Sequence, residues 1–553
     1  LTTARTLWRW LAVWSGATAA GCAVVHSVFA LDSSHGPHEV VANVWSAGEL
    51  VAQAVVAQVG DVPQALESAL ASHTGSSLVY ERVVAEGPVL RTPEAAFALS
   101  FVQGRDGLCV ELGGRTAYVT PDELLARQAY DKGVDVPSLQ LTIGLDTPVA
   151  LSIAGDRLGV SVRDLLDHAS FRRFRAERVS PGAPAPPPVT ADSMTDDDVR
   201  SAALAAAAYL ARGVDVEGRF RYLVDAPTNR SLGGYDWPRH AGATYFLVQA
   251  AALAGNPVLA HAALRAAAFL RDHATGNCGI HRCVGDGNVV DVGSTALTVL
   301  ADVEVARTQL DPSYRALVPQ LADFLRSQQR PDGEFMHQYD RSSGRPIDVQ
   351  FLYYSGEAAL ALSRANALLG DPRDLDAASR AVAYLVGPGW RFFGSRYYWG
   401  EEHWTCQAMG DLWARAPNRA ALDFCLGWQD FTRKLQYRTG DTILDAEGAF
   451  GVGPVVTPRL TPAGSRTEAA VATLEAARAA GVAPEELAEL DAQIRRSLAL
   501  LIRHQLHPGP KHLFADPAAV DGAIPGSEVD WQLRIDYDQH AGSAMVRYLQ
   551  RIH

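Results

Sequence analysis

The chain has 553 residues, of which 48% are hydrophobic and 20% charged, and it carries a formal net charge of −13. That length asks for more than one domain, and that composition belongs to globular proteins. The acidic balance, with no basic stripe or aromatic-interleaved basic run, excludes nucleic acid as the partner and leaves neutral or locally recognised ligands.

The first thirty residues differ in kind from the rest. Arg5 and Arg9 precede a run from Trp10 to Ala30 that contains no Lys, Arg, Asp or Glu. This is the pattern of an export signal, with small residues near Val28-Phe29-Ala30 for cleavage, or of a retained anchor, since about 20 apolar residues span a bilayer. The membrane is expected to be met only through this segment. The chain beyond it is expected to be exported, as a periplasmic, cell-envelope or secreted protein.

Five cysteines follow Ala30. Cys278-Gly279-Ile280-His281-Arg282-Cys283 has the spacing of a small disulfide loop, of two free thiols, or of two metal ligands flanking His281. No second Cys/His pair with zinc spacing follows, so neither metal nor cofactor is predicted.

From Glu39 to Val179 the pattern is that of a small α+β domain. Glu39–Val59 reads as an amphipathic helix, and a short helix follows over Pro63–Ala71. Apolar runs at Ser77–Val83, Ala96–Val102, Leu108–Leu112 and Thr116–Val119, separated by Gly/Asp turns, read as antiparallel strands. Thr120-Pro121-Asp122-Glu123 reads as a helix start with a capping Thr. A Pro-rich linker, 180–192, then marks the domain boundary.

From 195 to 553 almost everything has helical period, and the pattern repeats. Each unit enters a helix rich in Ala, Gly and Leu, turns at a motif such as Gly255-Asn256-Pro257 or Gly370-Asp371-Pro372, and returns through a more amphipathic helix. First helices begin near His240, Gly293, Ser355, His403, Thr467 and Gln539. Returns follow around Val258–His273, Ser313–Gln329, Asp374–Val386, Arg419–Leu435 and Pro484–Gln505. Asp196–Arg212 is a return helix with no predecessor, so pairing it with the sixth first helix closes a ring of six hairpins.

Six small-residue inner helices and six amphipathic outer ones resemble the (α/α)6 toroid superfamily of six-hairpin glycosidases, polysaccharide lyases and N-acylglucosamine epimerase-like enzymes. The turn Gln328-Gln329-Arg330-Pro331-Asp332-Gly333-Glu334-Phe335 is similar to the Gln-x-x-Asp-Gly-x-aromatic turns of such toroids. The fold class expected is therefore mainly α: a C-terminal (α/α)6 toroid behind a small α+β domain and an N-terminal hydrophobic segment. The acid motif of squalene-type cyclases is absent.

The resemblance implies an active site at the rim where chains enter the inner helices. His240, Glu357, Glu402, His403, Asp536 and His540 are the catalytic candidates. Asp236, Arg239, Tyr354, Trp404, Arg466, Glu468, Arg534 and Tyr537 are the candidates for binding substrate. Carboxylates and imidazoles suit proton transfer, aromatic faces suit pyranose rings, and three Arg suit an acidic sugar such as a uronate. Each has a plainer reading: Asp236 and Asp536 as helix caps, His240 and His540 as packed side chains bonded to carbonyls, one of Glu401 and Glu402 as a solvated charge. Asp236-x-x-x-His240-Ala241-Gly242 and Asp536-x-x-x-His540-Ala541-Gly542 share one spacing, which makes them the first and last entries of the ring and neighbours across its closure.

The expected activity is that of an exported enzyme acting on a glycan, by hydrolysis with Glu357 and Glu402 or Asp536, or by elimination or epimerisation with a His base. The alternative is a non-catalytic envelope protein that binds a glycan or a partner. A third reading, a lanthionine-cyclase-like metal toroid, would use Cys278, Cys283 and a His.

Overall fold

The computed structural model describes residues 31–33, 39–91, 95–130, 135–136, 139–140, 144–179, 187–389, 403–441, 445–451, 457–507 and 511–550. Segment 1–30, the first part of the linker and the pair Glu401-Glu402 lie outside the described residues. Among the described residues no helix is long and apolar enough to cross a membrane.

The N-terminal domain is built on a six-stranded antiparallel sheet. Its strands are β1 (Val40–Ser46), β2 (Glu49–Val56), β3 (Ser77–Glu86), β4 (Asp106–Leu112), β5 (Arg115–Val119) and β6 (Ser170–Val179), in the order β2-β1-β3-β6-β4-β5. Two expectations are corrected here. Glu39–Val59 is not a helix but the hairpin β1–β2, turned through Ala47 and Gly48, both at positive φ as a tight hairpin turn needs. Every residue of β1 from Val40 to Trp45 is buried, which hides the alternation that marks a strand. Ala96–Val102 is not a strand either, since Ala95–Leu99 forms one short helix. Thr120 does occupy the cap position before helix Pro121–Ala126, but its side chain makes no capping bond.

Among the described residues the remainder forms a ring of twelve helices. Outer helices α1 (Asp196–Arg212), α3 (Pro257–Phe269), α5 (Val318–Ser327), α7 (Pro372–Leu385), α9 (Arg419–Arg433) and α11 (Pro484–His504) alternate with inner helices α2 (Trp237–Ala254), α4 (Val292–Arg307), α6 (Tyr354–Leu369), α8 (His403–Leu412), α10 (Thr461–Ala479) and α12 (Ile535–Gln550). Each inner helix packs on the next, and α12 packs on both α2 and α1, so the ring is closed. The inner helices are buried nearly all round, which requires small residues where they touch. A Cβ on Gly410 would lie 2.7 Å from the Ala472 carbonyl oxygen, and one on Gly464 would lie 2.8 Å from the backbone of His540 and Ala541. The turns at Gly255 and Gly370 place glycine in the left-handed region, followed by capping Asn256 and Asp371 and by Pro at the first helical position.

One polar residue from each inner helix meets on the ring axis: Tyr245, Glu304, Arg364, Asp411, Glu475 and Arg547. Arg364 donates to Asp411 (2.6 Å), to Glu304 (3.3 Å) and to the Tyr245 hydroxyl. Arg547 donates to Asp411 (2.8 Å) and to Glu475 (3.1 Å). Burial would raise the Asp411 pKa, but the two guanidiniums overcome it and hold the carboxyl at about 2. This ionised layer is a floor across the toroid.

The N-terminal domain sits on the rim of the ring, at entries one, five and six. Asp122 accepts from His512 Nε2 (2.8 Å), Arg105 reaches Glu528 (3.4 Å), Gln128 donates to Asp225, and the Thr457 hydroxyl donates to Gln103. The loops that carry these residues lead into α2, α10 and α12.

Candidate active site

Three of the predicted residues converge on one point of the mouth. His403 opens α8, Glu468 lies in the second turn of α10, and His540 lies in the second turn of α12. His540 Nδ1 is 2.8 Å from Glu468 Oε2. A carboxylate can only accept, so the Nδ1–H donates and Nε2 is left as the basic nitrogen. The His403 ring stands edge-to-face with His540 at 5.1 Å between centroids, and Trp404 walls the pair, 4.6 Å from His403 and 5.8 Å from His540. Glu468 is 1% exposed, and its second oxygen, Oε1, has no hydrogen-bond partner among the described residues. Ligand atoms of the three residues lie within 4.8 Å of one another. They are close enough to one another for a cation to be held among them.

A second group occupies entries one, two, three and six. Arg239 donates to Asp236 (2.6 Å) and to Asp536 (3.1 Å), and Arg534 donates to both oxygens of Asp536 (2.6 and 2.9 Å). Asp236 and Asp536 thus share one guanidinium across the ring closure, which makes the first and last entries neighbours. Asp236 also caps α2 through the Arg239 N–H. Burial raises Asp536, but Arg534 and then Arg239 prevail and its carboxyl is lowered. Glu357 is the opposite case: burial first, then Asp291 and Asp236, push its carboxyl up to about 8. Tyr354 lies beside it, its hydroxyl pushed above the usual range by burial and by Asp291 and Glu357.

Other predicted residues stand apart from this chemistry. His240 is fully buried between α2 and α3. Its Nε2 donates to the Ala266 carbonyl (2.9 Å), its Nδ1 bonds the Tyr235 hydroxyl (2.6 Å), and its ring stacks on Phe269; desolvation lowers its pKa to about 4. It is a packed histidine facing away from the mouth. Arg466 is 1% exposed and lays its guanidinium over Phe450, while Tyr537 is packed under Arg534 and accepts from Arg459 (2.8 Å). Of the three Arg expected for a uronate, Arg239 and Arg534 are paired with Asp, and the Arg466 guanidinium lies over the Phe450 ring. Glu402 lies outside the described residues.

The cysteine motif is a disulfide, Cys278–Cys283, at the end of the hairpin Thr275–Cys278/His281–Val284, which removes these thiols from the metal reading. A second disulfide, Cys406–Cys425, ties α8 to α9 one turn below His403. Sequence reading missed it because a 19-residue separation carries no local signature.

One unforeseen cluster looks like a nucleophile triad and is not one. His337 Nδ1 accepts the Phe351 N–H (2.7 Å), so its Nε2–H donates to Ser355 Oγ (2.6 Å), and the Ser355 hydroxyl donates to Glu334. His337 has no lone pair left for the serine proton. The relay instead fixes the loop that ends in Phe351, Tyr353 and Tyr354 at entry three. Its only trace in the sequence is Glu334 inside the Asp-Gly turn.

No family model matches the chain, and no curated protein matches it. Among solved structures, that of D-mannose isomerase matches with a TM-score of 0.50 at 15% identity, covering 64% of this chain and 97% of that one. Cellobiose 2-epimerase from Bacillus thermoamylovorans B4167 gives 0.48 at 10% identity, with 64% and 99% covered. An unsaturated glucuronyl hydrolase specific for heparin gives 0.45 at 14% identity, with 64% and 98% covered. The architecture is thus the six-hairpin (α/α)6 toroid that the repeat implied, and at these identities the likeness is one of fold.

Proposed function

We propose that the protein is a carbohydrate-active enzyme that moves a proton at a carbon next to a sugar carbonyl, as an epimerase or aldose–ketose isomerase. The observation that carries this reading is the pair of imidazoles in the mouth, one of them oriented by Glu468. His540 Nε2 would take the proton from the carbon beside the carbonyl of an open-chain sugar, and the electron pair would form the carbon–carbon double bond of an enediol as the carbonyl oxygen gains a proton. Return of a proton to the same carbon on its other face, with the former carbonyl oxygen giving its proton back, epimerises; return to the former carbonyl carbon, with the neighbouring hydroxyl giving up its proton to become the new carbonyl, isomerises. His403, edge-to-face with His540, is the second proton carrier, and Trp404 offers a ring face for the sugar. The D-mannose isomerase fold is consistent with this chemistry and does not assign it.

Hydrolysis is less well served. It needs a carboxylate to activate water or attack the anomeric carbon, and Asp536, one candidate for that step, is engaged by two arginines. The two disulfides favour action in an oxidising, exported setting.

The test is exchange in heavy water. The full chain incubated with mannose, glucose or cellobiose should place deuterium on the carbon beside the carbonyl and yield the epimer or ketose, followed by proton NMR. New reducing ends without deuterium would replace this reading with hydrolysis. Binding with neither outcome would leave the non-catalytic alternative.

A further inference from the structure

The wall at entries one to three is not used by the two histidines. Glu357 stands in the first turn of α6, 5% exposed, and its buried Oε2 has no hydrogen-bond partner among the described residues. Gly293 makes room for it, since a Cβ there would lie 2.7 Å from that oxygen. Asp291 faces it from α4 with both oxygens bonded to Ser294, one to the N–H (2.6 Å) and one to the hydroxyl (3.0 Å). Asp236 faces it from α2, and the guanidiniums close by, Arg239 and Arg534, are bound to Asp236 and Asp536. Three aspartates thus meet two arginines before Glu357 is counted. The wall is open to solvent, with the Asp236 and Arg239 side chains 32% and 35% exposed.

We propose that this wall binds the protonated amine of an amino sugar, with the Glu357 carboxyl as acceptor, so that the site prefers amine-bearing sugars to neutral ones and neutral ones to uronates. The choice of a sugar rests on the reading above; the charge preference rests on the wall itself. A fourth negative charge here is unfavourable without a counter-charge, which is why the buried carboxyl keeps its proton when no ligand is bound. An ammonium supplies that counter-charge. The carboxyl proton leaves to solvent as the carboxylate–ammonium pair forms, so one positive charge enters and one leaves. A uronate would add negative charge to a wall already in excess.

The experiment is calorimetric titration of the full chain with glucosamine, glucose and glucuronate at about pH 6.5, where an ordinary amine is protonated, in two buffers of different ionisation enthalpy. Glucosamine should bind roughly tenfold or more tightly than glucose, release close to one proton, and lose its advantage in high salt, with glucuronate weakest. Glu357→Gln should abolish the proton release and the gap between glucosamine and glucose. Asp291→Asn, which still caps a helix, should narrow the gap several-fold and keeps the test open if the first variant misfolds. Equal binding of glucosamine and glucose, absence of proton release, or tighter glucuronate overturns the proposal. An amine preference in a protein that exchanges no deuterium would uphold it while removing the catalytic reading. No binding of any of the three would remove both.

Discussion

His240 and His540 share an Asp four residues before and an Ala-Gly pair after, and have opposite fates. Gly242 packs on the Gln539 side chain and Gly542 packs on Phe246, so each helix turns its small residues toward the other across the ring closure. Two helices that face each other within a ring are rotated about half a turn with respect to its centre. The same spacing therefore carries His240 outward and His540 inward, and no local pattern can reveal that. His540→Asn should lower kcat by roughly a hundred- to ten-thousandfold with little change in thermal melting. Glu468→Gln should do nearly as much, because an amide can donate to Nδ1 and move the ring proton onto Nε2.

The packed His240 and the buried Glu357 make opposite predictions for stability. His240 has a folded pKa of about 4, below its unfolded value, so the unfolded chain binds the proton first as pH falls. Its contribution is complete above about pH 6.5 and is lost toward pH 4, amounting to roughly 3 kcal/mol. Glu357, at about 8, is raised above its unfolded value. Its folded form keeps a proton that the unfolded chain gives up, so stability falls as pH rises from the ordinary carboxylate range through 8, by up to roughly 4 kcal/mol. Denaturant titrations across pH should show His240→Phe with a flatter acid limb and Glu357→Gln with a flatter alkaline one.

At the level of elements, the toroid helices were the most legible part of the chain. Asn256-Pro257 and Asp371-Pro372, each after a left-handed glycine, mark helix starts that propensity alone would blur. The N-terminal sheet was half legible. β1 is buried on both faces, so its run Val40-Val41-Ala42-Asn43-Val44-Trp45 shows neither period, and β6, rich in Arg, gains its central place only from partners far away in sequence. Helix α8 is short, and the Cys406–Cys425 bridge anchors it to α9. Replacing both cysteines with Ala should cost about 3 kcal/mol, the entropy of a loop of that length, measured by denaturation with and without reductant. Turnover should fall further than stability does, because His403 begins the anchored helix.

At the level of the whole molecule, the rim and the floor define one chamber. The N-terminal domain stands on the entry loops of α2, α10 and α12, so it walls the side of the mouth nearest His540 and Glu468. Asp411, shared by Arg364 and Arg547, is the keystone of the floor. Asp411→Asn should destabilise the protein by about 3 to 5 kcal/mol, since it leaves two guanidiniums without their common carboxylate in the ring centre; chemical denaturation would measure it.

The floor also settles an ambiguity of assembly. By texture the six inner helices are interchangeable, each a run of small and aliphatic residues that would accept any other as neighbour. Read around the axis, their polar residues run Tyr, Glu, Arg and then Asp, Glu, Arg, so the ring consists of two half-turns that differ in a single position. Leaving out a hairpin that carries a Glu or an Arg strands that residue's partner and costs several kcal/mol. Rotating by a whole half-turn merely exchanges Tyr245 with Asp411. The six hairpins thus carry an address written as charge, with a built-in twofold.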